Sequence, residues 1–152
     1  MGRAGRVAAD VGVGLAAGLA GTLAMTVSST VEMKVRGRGG SSSPADAAGK
    51  LLGVRPADEE GEQRFSQAVH YGYGTAWGAA RGLLASLGLG PAAASAAHLG
   101  LVWGSEQVML PALDVSPPAT QWGAREVAVD ALHHVVYAAA TGAAYTLLDR
   151  NR

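Results

Sequence analysis

The chain has 152 residues, 16% of them charged and 49% apolar, with Lys plus Arg equal to Asp plus Glu and no cysteine. That length makes one domain, residues 1–152, and the balanced charge offers no basic field to nucleic acid. Without cysteine there is no disulfide framework, thiolate zinc site or thiol nucleophile.

Twenty-two glycines beside a single Phe are unusual for a soluble globule. The mean hydropathy of +0.17 is low for a membrane protein, partly because Ala and Gly contribute little to it. Leaving His aside, uncharged intervals cover 11–31, 65–80, 82–105 and 131–148, and a bilayer-spanning helix needs roughly 20 mostly apolar residues. These intervals predict an all-α fold, a four-helix transmembrane bundle of up-down topology, with spans at about 7–33, 62–87, 92–110 and 124–148. A soluble Ala-rich helical bundle is the alternative.

Arg3 and Arg6 precede the first span, whose apolar run is too long for a signal peptide and has no clear small-x-small cleavage site. Thr22, Thr26 and Ser29 share one side of it, and Glu32 sits at its end before Lys34, Arg36 and Arg38. The polar loop 34–61 begins with a flexible Gly/Ser stretch. Ser43 as cap and Pro44 at the first helical position then predict a short amphipathic surface helix over 44–52, stopped by Gly53 and Pro56. Asp58, Glu59, Glu60 and Glu62 suit the start of the second span, where acids complement the dipole.

The second span carries His70, Trp77 and Arg81 on one face and Gly74, Gly78 and Gly82 on another. The third carries His98 and Glu106, with Gly100 and Gly104 four apart. With Gly14 and Gly18 in the first span and Ala138 and Gly142 in the fourth, every span has a small-xxx-small pair. Membrane helices associate through such faces, which predicts a tight bundle with little central water. Arg81 reads as an ion-pair or snorkelling residue, His98 as a satisfied interhelical donor, and Trp77 and Trp103 as packing or lipid contacts. Pro111, Pro117 and Pro118 end the third helix, and Trp122 is placed as an interfacial anchor.

In the fourth span Glu126, Asp130, His133, His134 and Tyr137 recur at spacings of three and four, so they share one broad helix face. With the helices alternating in direction, Glu32, His70, Glu106, Glu126, Asp130, His133 and His134 gather at one end of the bundle. A central Asp costs about 2.5–3.5 kcal/mol on an insertion scale, so Asp130 needs a partner, expected among His70, His133, His134 or a protonated Glu. An ionisable residue inside a membrane is a functional candidate by default; the plainer alternative is a polar clasp that fixes helix register.

The stretch from Pro111 through Pro117-Pro118 to Glu126, Asp130, His134 and Val135-Val136-Tyr137 resembles the YagU-like family of small bacterial inner-membrane proteins. Glu32 at the end of the first span and His70 early in the second fit the same pattern. The departures are Glu106, where that family can carry His, and Asp130, where it has Glu. The resemblance implies a four-helix, multi-pass architecture in the bacterial inner membrane, with termini inside and the polar cluster facing outward. It supplies no reaction.

Two functions are weighed. The first is a non-enzymatic accessory or stress-related component with a proton-responsive cluster, holding no cofactor, since His titrates near neutrality. The rival is a metal- or cofactor-binding protein with a redox role. Carboxylate-bridged bundles combine single Glu residues with Glu-x-x-His pairs, and Glu32, His70, Glu106, Asp130 and His133 are the candidate ligands of a divalent metal ion, although Gln67 stands where a paired acid is needed. A haem held by His70 is disfavoured by the Gly-packed helices. No nucleophile elbow or phosphate-binding Gly loop exists. The expected partner is the lipid bilayer, with a homo-oligomer or a larger membrane complex left open.

Overall fold

The computed structural model describes residues 2–150; Arg152, one of the basic residues of the C-terminus, lies outside them. Five α-helices account for most of the chain: α1 (Arg3–Arg36), α2 (Ser43–Leu52), α3 (Glu59–Ser86), α4 (Pro91–Ala112) and α5 (Ala124–Asp149). A single 3₁₀ turn, Ala119–Gln121, precedes α5, and there is no strand among the described residues. The all-α expectation holds, with the short α2 in the first loop. Among the described residues one helix, α1, is long and apolar enough to cross a membrane by length and composition; α3 opens on Glu59-Glu60-Gly61-Glu62 and contains Arg81.

Local chemistry sets the boundaries. Gly37 ends α1 in the left-handed region (φ 64°), with Lys34 and Arg36 in the last turn where cations suit the dipole. The Asp58 side chain caps α3, accepting from the Gly61 amide at 2.8 Å. Ser42 rather than Ser43 is the residue before α2, a one-residue shift from the expected start. Pro111 does not stop α4, which runs on to Ala112; a proline in a last turn removes a single amide donor, and α4 ends directly after it.

α1 lies at the centre of the packing, against α3 on one side and α5 on the other. Both neighbours run antiparallel to it. Asp10 meets Ser86 and Thr26 meets His70 along α3, while Ser28 meets His133 and Arg36 meets Glu126 along α5. The α1–α3 seam is made by glycine. A methyl group added at Gly78 would run into the backbone of Gly14 and Gly18, and one added at Gly18 would sit 2.7 Å from the Thr75 carbonyl. Backbones approach this closely only where no Cβ intervenes.

The expectation of a small-residue seam on every span is corrected at α4, where a methyl group added at Gly100 or Gly104 would meet no neighbouring helix within 4 Å. Gly142 of α5 instead faces the Ser95 side chain. Of the two readings of Arg81, the snorkelling one is corrected. The residue does not snorkel but is 2% exposed, its guanidinium 4.3 Å from the centre of the Tyr145 ring. His98 Nε2 donates to the Trp77 carbonyl, 3.0 Å away, as an interhelical link.

Burial departs in part from that of a water-soluble globule: Ala17, Ala94, Val102, Leu110, Tyr137 and Tyr145 are buried, but so are polar and charged side chains. The largest fully buried side chains are Arg81, His98, Thr22 and Thr141. Leu15, Leu19, Leu23, Val27, Val31 and Val35, every fourth residue of α1, are exposed, as are Leu101, Leu132 and Leu147. Meanwhile α2 packs on α3, and Lys50 donates to the carbonyls of Leu113 and Asp114 at 2.6 and 2.9 Å, tying the first loop to the end of α4.

Candidate functional site

Where α1 and α4 end and α3 and α5 begin, a cavity of about 470 Å³ opens between the helices. This corrects the expectation of a bundle with little central space. The helices stay in glycine contact along α1–α3, but Met25, Tyr73, Trp77, Met109 and Leu110 hold them apart at this end as apolar walls. Arg38, Gly40, Ser41 and Trp122 border it from the loops, and Ser43 and Pro44 from the start of α2. Of the residues expected to cluster, His70, Glu106, Glu126, Asp130, His133 and His134 line it. They fall into three separate groups.

The first group is an ion-pair network at the helix ends. Arg36 donates to Glu32 (2.9 Å) and reaches Glu126 through both terminal nitrogens (3.0 and 2.5 Å), the paired geometry that a planar guanidinium favours. Arg38 closes on Glu32 from the loop (3.0 and 2.5 Å). The hydrogen bond to Glu126, and after it the one to Glu32, pushes the Arg36 pKa further up from its ordinary value. Both acids of this group are therefore committed to arginines.

The second group is a set of histidine–hydroxyl links. Thr26 donates its hydroxyl to the Thr22 carbonyl (2.7 Å), so its oxygen accepts from His70 Nε2 at 2.8 Å. His133 Nδ1 meets the Ser28 hydroxyl at 2.9 Å, with its Nε2 3.8 Å from Glu32. Both contacts position α1 against its neighbours.

The third group is the compact one. A carboxylate oxygen from each of Glu106 and Asp130 and a ring nitrogen of His134 all lie within 4.8 Å of one another. His134 Nε2 is 2.8 Å from Glu106 Oε2. Its Nδ1 is 2.9 Å from the Asp130 backbone carbonyl, one turn earlier in α5. Asp130 is held in turn by the Trp103 indole, which donates to Oδ2 at 2.7 Å. Below the trio, Tyr137 donates to the Gly74 carbonyl at 2.6 Å and stacks obliquely on His98, ring centres 5.5 Å apart.

Among the five ligands weighed from the sequence, Glu106 and Asp130 therefore meet, joined by His134 in place of His133. Glu32 and His133 approach each other at 3.8 Å outside that trio, and His70 meets Thr26. Asp130 was expected to bond a His or a protonated Glu; His134 Nδ1 does come within 3.7 Å of its Oδ1, but the hydrogen-bond donor to its side chain is Trp103, which the sequence suggested only as packing. The available signal was spacing: Trp103 and Glu106 stand three apart on α4 and so share a face. Comparison with protein-family models, with curated proteins and with solved structures finds no match to this chain.

Proposed function

We propose that this chain is a small multi-pass protein of the bacterial inner membrane, an accessory component with no reaction of its own, that receives a small polar ligand or ion into the acid–imidazole end of its bundle. The observation that carries this reading is the pattern of burial. Large aliphatic side chains face outward along α1, α4 and α5 while Arg81, His98, His133 and His134 are buried. In water that arrangement forfeits the burial of about 1.5–3 kcal/mol per large aliphatic side chain; in hydrocarbon it leaves apolar groups on lipid and gives polar groups internal partners.

A large cavity with mostly apolar walls and a few convergent polar groups is the form that ligand sites take. Here the polar groups are Glu106, Asp130 and His134. The exposed Leu51, Leu52 and Val54 beside α2 suit a helix lying in the interface plane. The likeness to the YagU-like family supports the same placement. The proton-responsive behaviour expected from the sequence would involve the same three side chains, and is the competing outcome in the experiment of the next section.

The absence of native cysteine makes the test direct. Single cysteines at Leu19 and Leu101, both exposed on the bundle exterior, are expected to resist a membrane-impermeant thiol reagent in native membranes. Ser29→Cys, in the cavity wall, is expected to react with a small aqueous reagent from one side of the membrane only. The protein is expected to stay with the membrane through an alkaline carbonate wash. Release by carbonate, or labelling of Leu19→Cys as fast as of Ser41→Cys in the loop, overturns the reading.

A further inference from the structure

We propose that Glu106, Asp130 and His134 hold a divalent transition-metal ion, one per chain, at the edge of the cavity. The assignment rests on the reading of that cavity as a receiving site and names its occupant.

The geometry begins with the histidine tautomer. His134 Nδ1 lies 2.9 Å from a backbone carbonyl, which can only accept, so Nδ1 carries the proton. In a neutral ring Nε2 is then a bare lone pair. It lies 2.8 Å from Glu106 Oε2, and that buried oxygen has no aligned hydrogen-bond donor. Two acceptors at this distance repel unless positive charge lies between or beside them. A proton or a cation would reconcile them.

Charge favours the cation. With both acids ionised and the imidazole neutral, the trio carries two negative charges. One shared proton leaves a net negative charge among side chains that are mostly buried, which is costly where water is scarce. A divalent ion brings the sum to zero as a single occupant, where protons would have to be two. The nearby arginines do not offset it, because Arg36 and Arg38 are engaged by Glu32 and Glu126.

The surroundings are those of a metal site. A ligating imidazole usually donates its other nitrogen to a carbonyl or carboxylate, and ligating carboxylates are themselves hydrogen-bonded. Here the Asp130 carbonyl does the first and Trp103 does the second. Metal–ligand bonds of about 2.0–2.2 Å put neighbouring ligands roughly 3–3.5 Å apart, so the present spread of 4.8 Å closes by rotation of the carboxylate side chains. Three protein ligands beside an open cavity leave further coordination positions for water or a small ligand. That is the pattern of exchangeable sites rather than of closed structural ones. Two carboxylate oxygens and one imidazole suit zinc, manganese or ferrous iron; cuprous copper prefers sulfur.

The test uses the full chain in detergent or nanodiscs, stripped with chelator and dialysed against zinc or manganese chloride alone, with metal content and calorimetric titration as readouts. One ion per chain is expected. Cobalt substitution is expected to give a visible absorption spectrum that changes in the variants. His134→Ala and the isosteric Glu106→Gln should abolish stoichiometric uptake while circular dichroism remains helical. Trp103→Phe, which removes the donor to Asp130, should weaken affinity about 10–100-fold. Glu60→Gln, an exposed acid remote from the cavity, should change nothing.

No uptake by helical wild-type protein overturns the proposal and leaves a shared proton as the occupant. Loss on His133→Ala with His134→Ala unaffected also overturns it. The cysteine-labelling pattern is read separately, so failure to bind metal is distinguishable from failure of the membrane reading.

Discussion

Tyr137 shows how single side chains hold the bundle around the cavity. Its hydroxyl donates to the Gly74 carbonyl at 2.6 Å, and the residue is 2% exposed, linking α5 to α3 just below Glu106, Asp130 and His134. Tyr137→Phe keeps the ring and deletes the bond. Interhelical hydrogen bonds in membranes average about 0.6 kcal/mol and reach about 1.7, so the expected loss is about 1 kcal/mol, read as a lower unfolding midpoint in mild detergent. Trp103 illustrates what a sequence conceals at this scale. An indole in an apolar helix reads as packing, and only the position of α5 shows that its N–H meets Asp130. The reverse holds for Arg81, whose place near a helix end suggested an outward route, yet the Tyr145 ring lies over its guanidinium.

Among the elements, the α1–α3 seam is the least tolerant of change. Gly14, Gly18 and Gly78 bring two backbones into contact, and forced extra volume in a close-packed interface costs about 1–3 kcal/mol. Gly78→Ala should therefore destabilise by that amount. Gly104→Ala, which meets open space, should be neutral or stabilising by up to about 1 kcal/mol, since Ala is the better helix former. Equal effects in a detergent unfolding series would contradict the seam. Small residues four apart occurred on every predicted span, so spacing alone could not rank them. Which pair becomes a contact depends on the rotation of each helix, and α4 turns its glycines away.

For the molecule as a whole, the distribution of apolar surface makes a prediction opposite to that for a soluble protein. Leu19 lies in an exposed aliphatic stripe on α1. On a water-facing surface Leu19→Asp would change stability by less than about 0.5 kcal/mol. Facing lipid, it should cost about 2.5–3.5 kcal/mol of insertion free energy. The expected outcome is a sharp fall in the membrane-integrated fraction, measured by fractionation and immunoblotting; an unchanged fraction argues for a water-facing surface. The one helix that passes a length-and-composition test is α1. Membrane residence for α4 and α5 rests instead on the aliphatic side chains that the assembled bundle turns outward.

The order and extent of the helices were readable from the chain itself, because proline, glycine and capping residues act locally and apolar periodicity survives without tertiary contacts. The gathering of acids and imidazoles at one end was readable too, since depth follows from counting residues along alternating helices. Which of them touch was not. His133 and His134 are adjacent, yet about 100° of helix rotation separates them, so one faces Ser28 and the other Glu106. Periodicity fixes angles within a helix; the packing of its neighbours decides what stands at each angle, and so selects His134 over His133 and opens the cavity beside it.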